Sequence, residues 1–331
     1  MRKVKTRNTV KKEDYEDLVY YKLKNSRFKQ QRLPAWRPVP TIGTIITFYI
    51  LFAIIFIGLG IMLLLFTEKI KEEEIPYYST GDCKNQSVCH INNYTIKNDM
   101  SPPIMIYYKL EGFFQNHRRY VRSKSNKQLY GDKTTLEEME SDGSCDPVYK
   151  NKDMGLDENA TSINGEPLNM EDVAIPCGLI AKTFFNDTFY NWRIGNKTII
   201  PNEKNIAWTK DKELFKNSDP SKQWIDVEDE HFIVWMRASG LPNFRKLWGR
   251  IEDTEIKKGD AISFSVENNY NVTHYDGDKT IILSTTNEFG GKNKFLGYSF
   301  IIVGGISVLL GIAFPVLYYQ RNKNENMRKK I

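Results

Sequence analysis

Two long stretches without a charged side chain govern what this chain can fold into. No Asp, Glu, Lys or Arg occurs from Pro38 to Thr67, where Ile42 to Phe66 is almost wholly apolar, and a second uncharged run extends from Phe295 to Gln320. Roughly 20 apolar residues in a helix cross a hydrocarbon layer about 30 Å thick. A helix is required, because backbone polar groups in lipid must be satisfied within the segment. The first run follows a charged N-terminal stretch and exceeds the roughly 7–15 apolar residues of a cleaved signal. Neither run carries the polar face of a soluble core helix. The expected layout is a tail over 1–41, a span over 42–66, a domain over 67–294, a span over 295–319 and a tail over 320–331.

Charge orients that layout. The first tail holds twelve Lys/Arg against four Asp/Glu, the last five against one, and the segment between carries the remaining 30 basic and 36 acidic residues, a net −6. Positive flanks stay cytosolic, so both termini are expected there and the central domain on the lumenal or extracellular side. All four cysteines (Cys83, Cys89, Cys145, Cys177) lie in the central domain, as an oxidising compartment favours. So do the glycosylation sequons at Asn85, Asn93, Asn159, Asn186, Asn196 and Asn271.

Within the domain, strand signals dominate. In Ala261–Tyr270, Ile262, Phe264 and Val266 alternate with polar residues. Ile104–Leu110, Arg118–Ser123, Phe232–Arg237 and Lys279–Ser284 are rich in β-branched and aromatic residues and are also expected as strands. Phe244, Leu247, Trp248 and Ile251 stand at helical spacing behind Pro242, which predicts one short helix. Lys124–Pro176 is polar throughout and is expected as a long loop. Four cysteines allow three pairings; the nearest neighbours are Cys83 with Cys89 and Cys145 with Cys177. Paired so, the smaller ring would stabilise by about 2 kcal/mol and the larger by roughly 3–4 kcal/mol. A zinc site would need closer spacing, and no C-x-x-C pair is present.

Catalytic motifs are missing. Asp132-Lys133-Thr134-Thr135 resembles the phosphorylated D-K-T-G motif of P-type ATPases but lacks the glycine and falls on the side without ATP. No Walker loop, H-E-x-x-H or G-x-S-x-G occurs, and His90, His117, His231 and His274 are dispersed. His117-Arg118-Arg119 could hold an anion but is expected as a polar strand edge. Two spans are too few to enclose a transport path. Gly297, Gly304 and Gly311 recur every seven residues with Ser307 between, which keeps small residues near one face where another helix can approach. That helix could belong to a partner or to the chain itself.

The stretch Asn25-Ser26-Arg27-Phe28-Lys29-Gln30-Gln31-Arg32-Leu33-Pro34-Ala35-Trp36-Arg37-Pro38 resembles the opening of the cell division control protein 50 family, the β subunits of type-IV P-type ATPases. The resemblance continues, in order, through Phe114-Gln115-Asn116-His117-Arg118-Arg119-Tyr120-Val121, Pro176-Cys177-Gly178-Leu179-Ile180-Ala181, Glu230-His231-Phe232-Ile233-Val234-Trp235, Leu241-Pro242-Asn243-Phe244-Arg245-Lys246-Leu247 and Gly290-Gly291-Lys292-Asn293. It implies two transmembrane helices flanking a mainly β ectodomain, an antiparallel β-sandwich with long loops, stapled by Cys83–Cys89 and Cys145–Cys177. It also implies a noncatalytic subunit without cofactor or metal. Such a subunit pairs with a flippase α subunit at a phospholipid membrane, binds no nucleic acid, and supports the pump's folding, its exit from the endoplasmic reticulum and its transport cycle. The expected membranes are endoplasmic reticulum, Golgi/endosomal or plasma membrane. Partner contacts are expected at Phe28, Lys29, Arg32, Pro34 and Trp36 along the cytosolic face, at Gly304 and Gly311 in the second span, and from the acidic ectodomain onto a basic partner surface. A free-standing receptor or a membrane-anchored lumenal transferase are the alternatives.

Overall fold

The computed structural model describes residues 12–33, 41–79, 82–287 and 290–328. The chain forms two compact units, one of residues 1–58 with 301–331 and one of residues 59–300. Among the described residues of the first unit, α1 covers Lys12–Asn25, and α2 (Ile42–Glu68) and α10 (Lys294–Arg328) contribute parts of their length. Both of these helices are long and apolar enough to cross a membrane. The last helix runs through Pro315 and past the apolar run to Arg328.

Residues 59–300 hold two four-stranded antiparallel sheets. The first has the order β1 (Glu72–Pro76), β8 (Asp278–Thr285), β3 (Ile104–Glu111), β6 (Phe244–Ile251); the second has β2 (Val88–Thr95), β7 (Ala261–Glu267), β4 (Thr188–Ile194), β5 (Lys197–Thr198). Alternation drives both. Ile104, Ile106, Tyr108 and Leu110 point into the core from β3, and Ile262, Phe264 and Val266 do so from β7. The sheets meet through aromatic rings: Phe189 of β4 stands edge-on to Trp248 of β6 at 5.2 Å and to Tyr77 at 5.6 Å. Edge-to-face geometry suits the ring quadrupoles.

Three local expectations are corrected. Arg118–Arg122 is helix α3, not a strand; only Tyr120 among its residues is buried, and Arg118, Arg119 and Arg122 face solvent. Glu230–Met236 is helix α9, capped by the Asp229 carboxylate, which accepts from Phe232 N, and it buries Phe232, Ile233, Trp235 and Met236 on one side. Phe244–Ile251 is a strand. Opposite Ile106 and Tyr107 its register slips by one residue, leaving Trp248 as an extra residue in β6. Such a bulge shifts the inward phase, so Phe244, Trp248 and Ile251 are all buried and imitate a helical spacing.

The segment from Lys124 to Pro176 is irregular but compact, with short helices α4 (Asn126–Leu129), α5 (Leu136–Asp142) and α6 (Asn151–Met154). It is followed by α7 (Leu179–Lys182), and α8 (Thr209–Leu214) precedes α9. Cys83 is joined to Cys89, and Cys145 to Cys177. With all four thiols oxidised, none can ligate zinc.

Candidate functional site

The junction between domain and spans is built from the first sheet. Thr285 N donates to Lys71 O at 3.0 Å, and Asn287 Nδ2 donates to Phe66 O at 3.0 Å. The chain thus leaves α2 and approaches α10 through neighbouring strands. On the outer face of this sheet Arg245 reaches from β6 across β3 and β8 to Glu72 of β1, 2.7 Å away. Its guanidinium lies 4.9 Å from the Tyr107 ring centroid, and Ser284 Oγ donates to the same Glu72 oxygen at 3.2 Å. Gly291, just before α10, comes so close that a Cβ there would sit 2.7 Å from Arg245 Nη2. A planar, always-charged guanidinium holds such a carboxylate in a fixed geometry.

A second brace lies between the sheets. Lys279 of β8 and Asp187, just ahead of β4, form an ion pair of 2.6 Å with no side-chain exposure on either partner. Asp187 also accepts from Tyr77 Oη at 2.7 Å and from Tyr270 N at 2.6 Å. Lys279 donates further to Tyr270 O and Asn268 Oδ1. Burial pulls the Lys279 pKa down and the adjacent Asp187 opposes it; burial, then Asp187, pushes the Tyr77 hydroxyl far up. Lys246 of β6 is similarly enclosed. Its ammonium caps the end of α9 by donating to the carbonyls of Val234, Trp235 and Arg237, and burial pulls its pKa down to about 7. Neither lysine stood out in sequence. The available signal was phase: Lys279 shares its strand side with Ile281 and Leu283, and Lys246 shares its side with Phe244, positions that otherwise face the core.

Helices α3, α8 and α9 frame a cavity of about 430 Å³ lined by Val121, Lys124, Tyr130, Leu214, Ile233 and Arg237. Arg237 is bound by Asp211 and lies over the exposed Trp208 ring, 5.1 Å from its centroid. Beside the lining residues Lys124 and Ile180 the chain makes a close approach: Gly178 has φ +102°, and a Cβ there would fall 2.2 Å from Ser123 O. Ser123 Oγ bridges Cys145 O and Leu179 N, while Gln128 accepts from Cys177 N at 2.9 Å. The large disulfide ring is therefore locked to the helices that carry this surface.

The residues singled out in sequence fall at several places. Phe28, Lys29 and Arg32 are exposed in a tight turn after α1, where Arg32 N donates to Arg27 O at 2.7 Å. Pro34 and Trp36 lie outside the described residues. Gly304 and Gly311 face the chain's own first span. A Cβ on Gly304 would sit 2.5 Å from Ile57 Cγ1, and one on Gly311 would sit 3.3 Å from Tyr49 Cβ. Small residues at these positions let the two helices of one chain approach. His117, Arg118 and Arg119 are exposed at the start of α3 rather than on a strand edge, with Arg119 3.8 Å from Asp146. Asn85 stands in the short turn Asp82–Asn85; Asn93, Asn159, Asn186, Asn196 and Asn271 are exposed. The fold brings two of these together: Asn186 and Asn271 line one cleft of about 320 Å³.

Residues 11–324 match the LEM3 (ligand-effect modulator 3) family / CDC50 family. The chain is 36% identical to "ALA-interacting subunit 3" of Arabidopsis thaliana, covering 89% of this chain and 86% of that one. It is 35% identical to "Cell cycle control protein 50A" of Bos taurus, over 91% and 90% of the two chains. It is 28% identical to the "Phospholipid-transporting ATPase accessory subunit CDC50" of Chaetomium thermophilum, over 89% and 86%. With a match spanning both long helices and both sheets, this chain belongs to the LEM3/CDC50 family.

Proposed function

We propose that this chain is the noncatalytic accessory (β) subunit of a type-IV P-type ATPase that moves phospholipid from the exoplasmic to the cytosolic leaflet. The observation that carries this reading is family membership along nearly the whole chain, including a relative whose name states that role. The fold supports it. A braced domain tied to two span ends suits a protein that steadies another protein's exoplasmic loops. Both termini face the cytosol, and the complex leaves the endoplasmic reticulum for Golgi, endosomal or plasma membranes.

Three contacts follow. The turn at Phe28, Lys29 and Arg32 meets the cytosolic membrane face, as do Pro34 and Trp36 after it in the sequence, and its basic residues face anionic headgroups there. Since the glycine face of α10 is taken by α2, the pump's helix meets the exposed Ile302, Ile306 and Leu309 instead. The ectodomain presents its acidic surface and the ledge around Trp208 to the pump's exoplasmic loops. Affinity purification of the full chain in mild detergent, with proteins identified by mass spectrometry, tests the assignment. A P-type ATPase in near-equal amount is expected; its absence overturns the proposal.

A further inference from the structure

We propose that the cleft shared by Asn186 and Asn271 seats the innermost sugars of an N-glycan carried by Asn271, so that this glycan is a packed part of the ectodomain rather than a free antenna. The inference rests on the exoplasmic placement proposed above. Its walls include Phe113, Phe184 and Tyr275, with Lys182 and His274 among the polar groups. Aromatic faces beside a few polar groups match the apolar C–H faces and hydroxyls of pyranose rings, and the volume of about 320 Å³ suits a pair of sugar rings rather than a long chain.

The attachment point is preset. The Asn271 carboxamide oxygen accepts from Thr273 N at 2.8 Å and from Thr273 Oγ1 at 2.6 Å. Its orientation is thereby set with the nitrogen, the atom that bears the sugar, left out of both bonds. The following residue, Val272, is buried, and Tyr270 on the other side is fixed to Asp187 through its backbone N–H. A glycan linked at the rim needs no affinity of its own to fill the cleft. Tethering gives it an effective concentration in the millimolar range, so weak stacking is sufficient.

Timed digestion of the intact, natively purified protein with a peptide:N-glycosidase, read site by site by mass spectrometry, tests this. The Asn271 glycan should be released at least about tenfold more slowly than those on Asn93, Asn159 and Asn196, a factor equal to about 1.4 kcal/mol of protection. The difference should vanish after denaturation. It should persist in Asn186→Gln, because the cleft and not crowding by a second glycan provides the shelter, and shrink in His274→Asp, which alters one rim. Equal native rates, or loss of protection in Asn186→Gln, overturn the proposal. So does an unmodified Asn271 in a protein glycosylated at the other sites, which leaves the membrane topology standing. Absence of sugar from every sequon overturns the topology as well.

Discussion

Lys279 and Asp187 hold each other's charge at a depth where water reaches neither, and a charge left there alone is costly. Asp187→Ala should destabilise the protein by about 3–5 kcal/mol, read as a lowered Tm in detergent. Asp187→Leu combined with Lys279→Met should recover part of that loss, since the orphaned charge is then gone. Glu230 gives the pH dependence. Burial disfavours its charge, but hydrogen bonds from Lys212 and from the Ala207 and Asn205 backbone outweigh this and bring its pKa to about 2. A folded pKa below the unfolded one contributes stability above the unfolded value and loses it as pH falls toward the folded one. Glu230→Gln should therefore be less stable than the wild type at pH 7, by at most about 3 kcal/mol, with the gap closing between pH 4.5 and about 2. A gap that persists at the acidic end would contradict the assignment. At this scale sequence is least legible: Asp187 is hidden as the middle residue of a sequon, and Lys279 and Lys246 look like ordinary strand lysines until their phase is known.

Elements were readable where one influence dominated. The spans were plain because hydrocarbon tolerates little else, β7 because apolar and polar residues alternate along it, and β3 and β8 because β-branched and aromatic residues are dense in them. Helix α9 was missed because four of its five residues from Phe232 to Met236 are buried; so dense an apolar run shows no period. Strand β6 was missed because its bulge puts Trp248 and Ile251 on the core side together, an effect of its partner strand that local spacing does not reveal. Two predictions belong here. Cysteines replacing Tyr49 and Gly311 should cross-link within a single chain on oxidation, seen as faster migration without reductant, because the Cβ position of Gly311 lies 3.3 Å from Tyr49 Cβ, close to the Cβ–Cβ spacing of a disulfide. No cross-link would mean the two spans do not pack along this face. The disulfides should also differ. They close sequence separations of 32 and 6 residues, and chain entropy favours the larger by about 1.5 kcal/mol. Cys145→Ser should thus reduce recovery of the assembled complex more than Cys83→Ser, as quantified by co-purification; equal losses would count against the pinning role of the larger ring.

For the molecule as a whole, charge and hydropathy already separated tails, spans and domain, and the motif blocks carried the family resemblance. The surfaces that would meet a partner were much less legible, because they are assembled from distant segments. The ledge around Trp208 draws on residues from Val121 to Arg237, and the glycine stripe gave a helix contact without revealing that the chain itself supplies the other helix. The adjacency of Lys71 and Thr285, joined by backbone hydrogen bonding at the foot of the first sheet, makes the ectodomain a removable cartridge. Both its cut ends sit in one place, so the domain can be exchanged between relatives with two splices. Chimeras made this way would sort partner choice into a share carried above the membrane and a share carried within it.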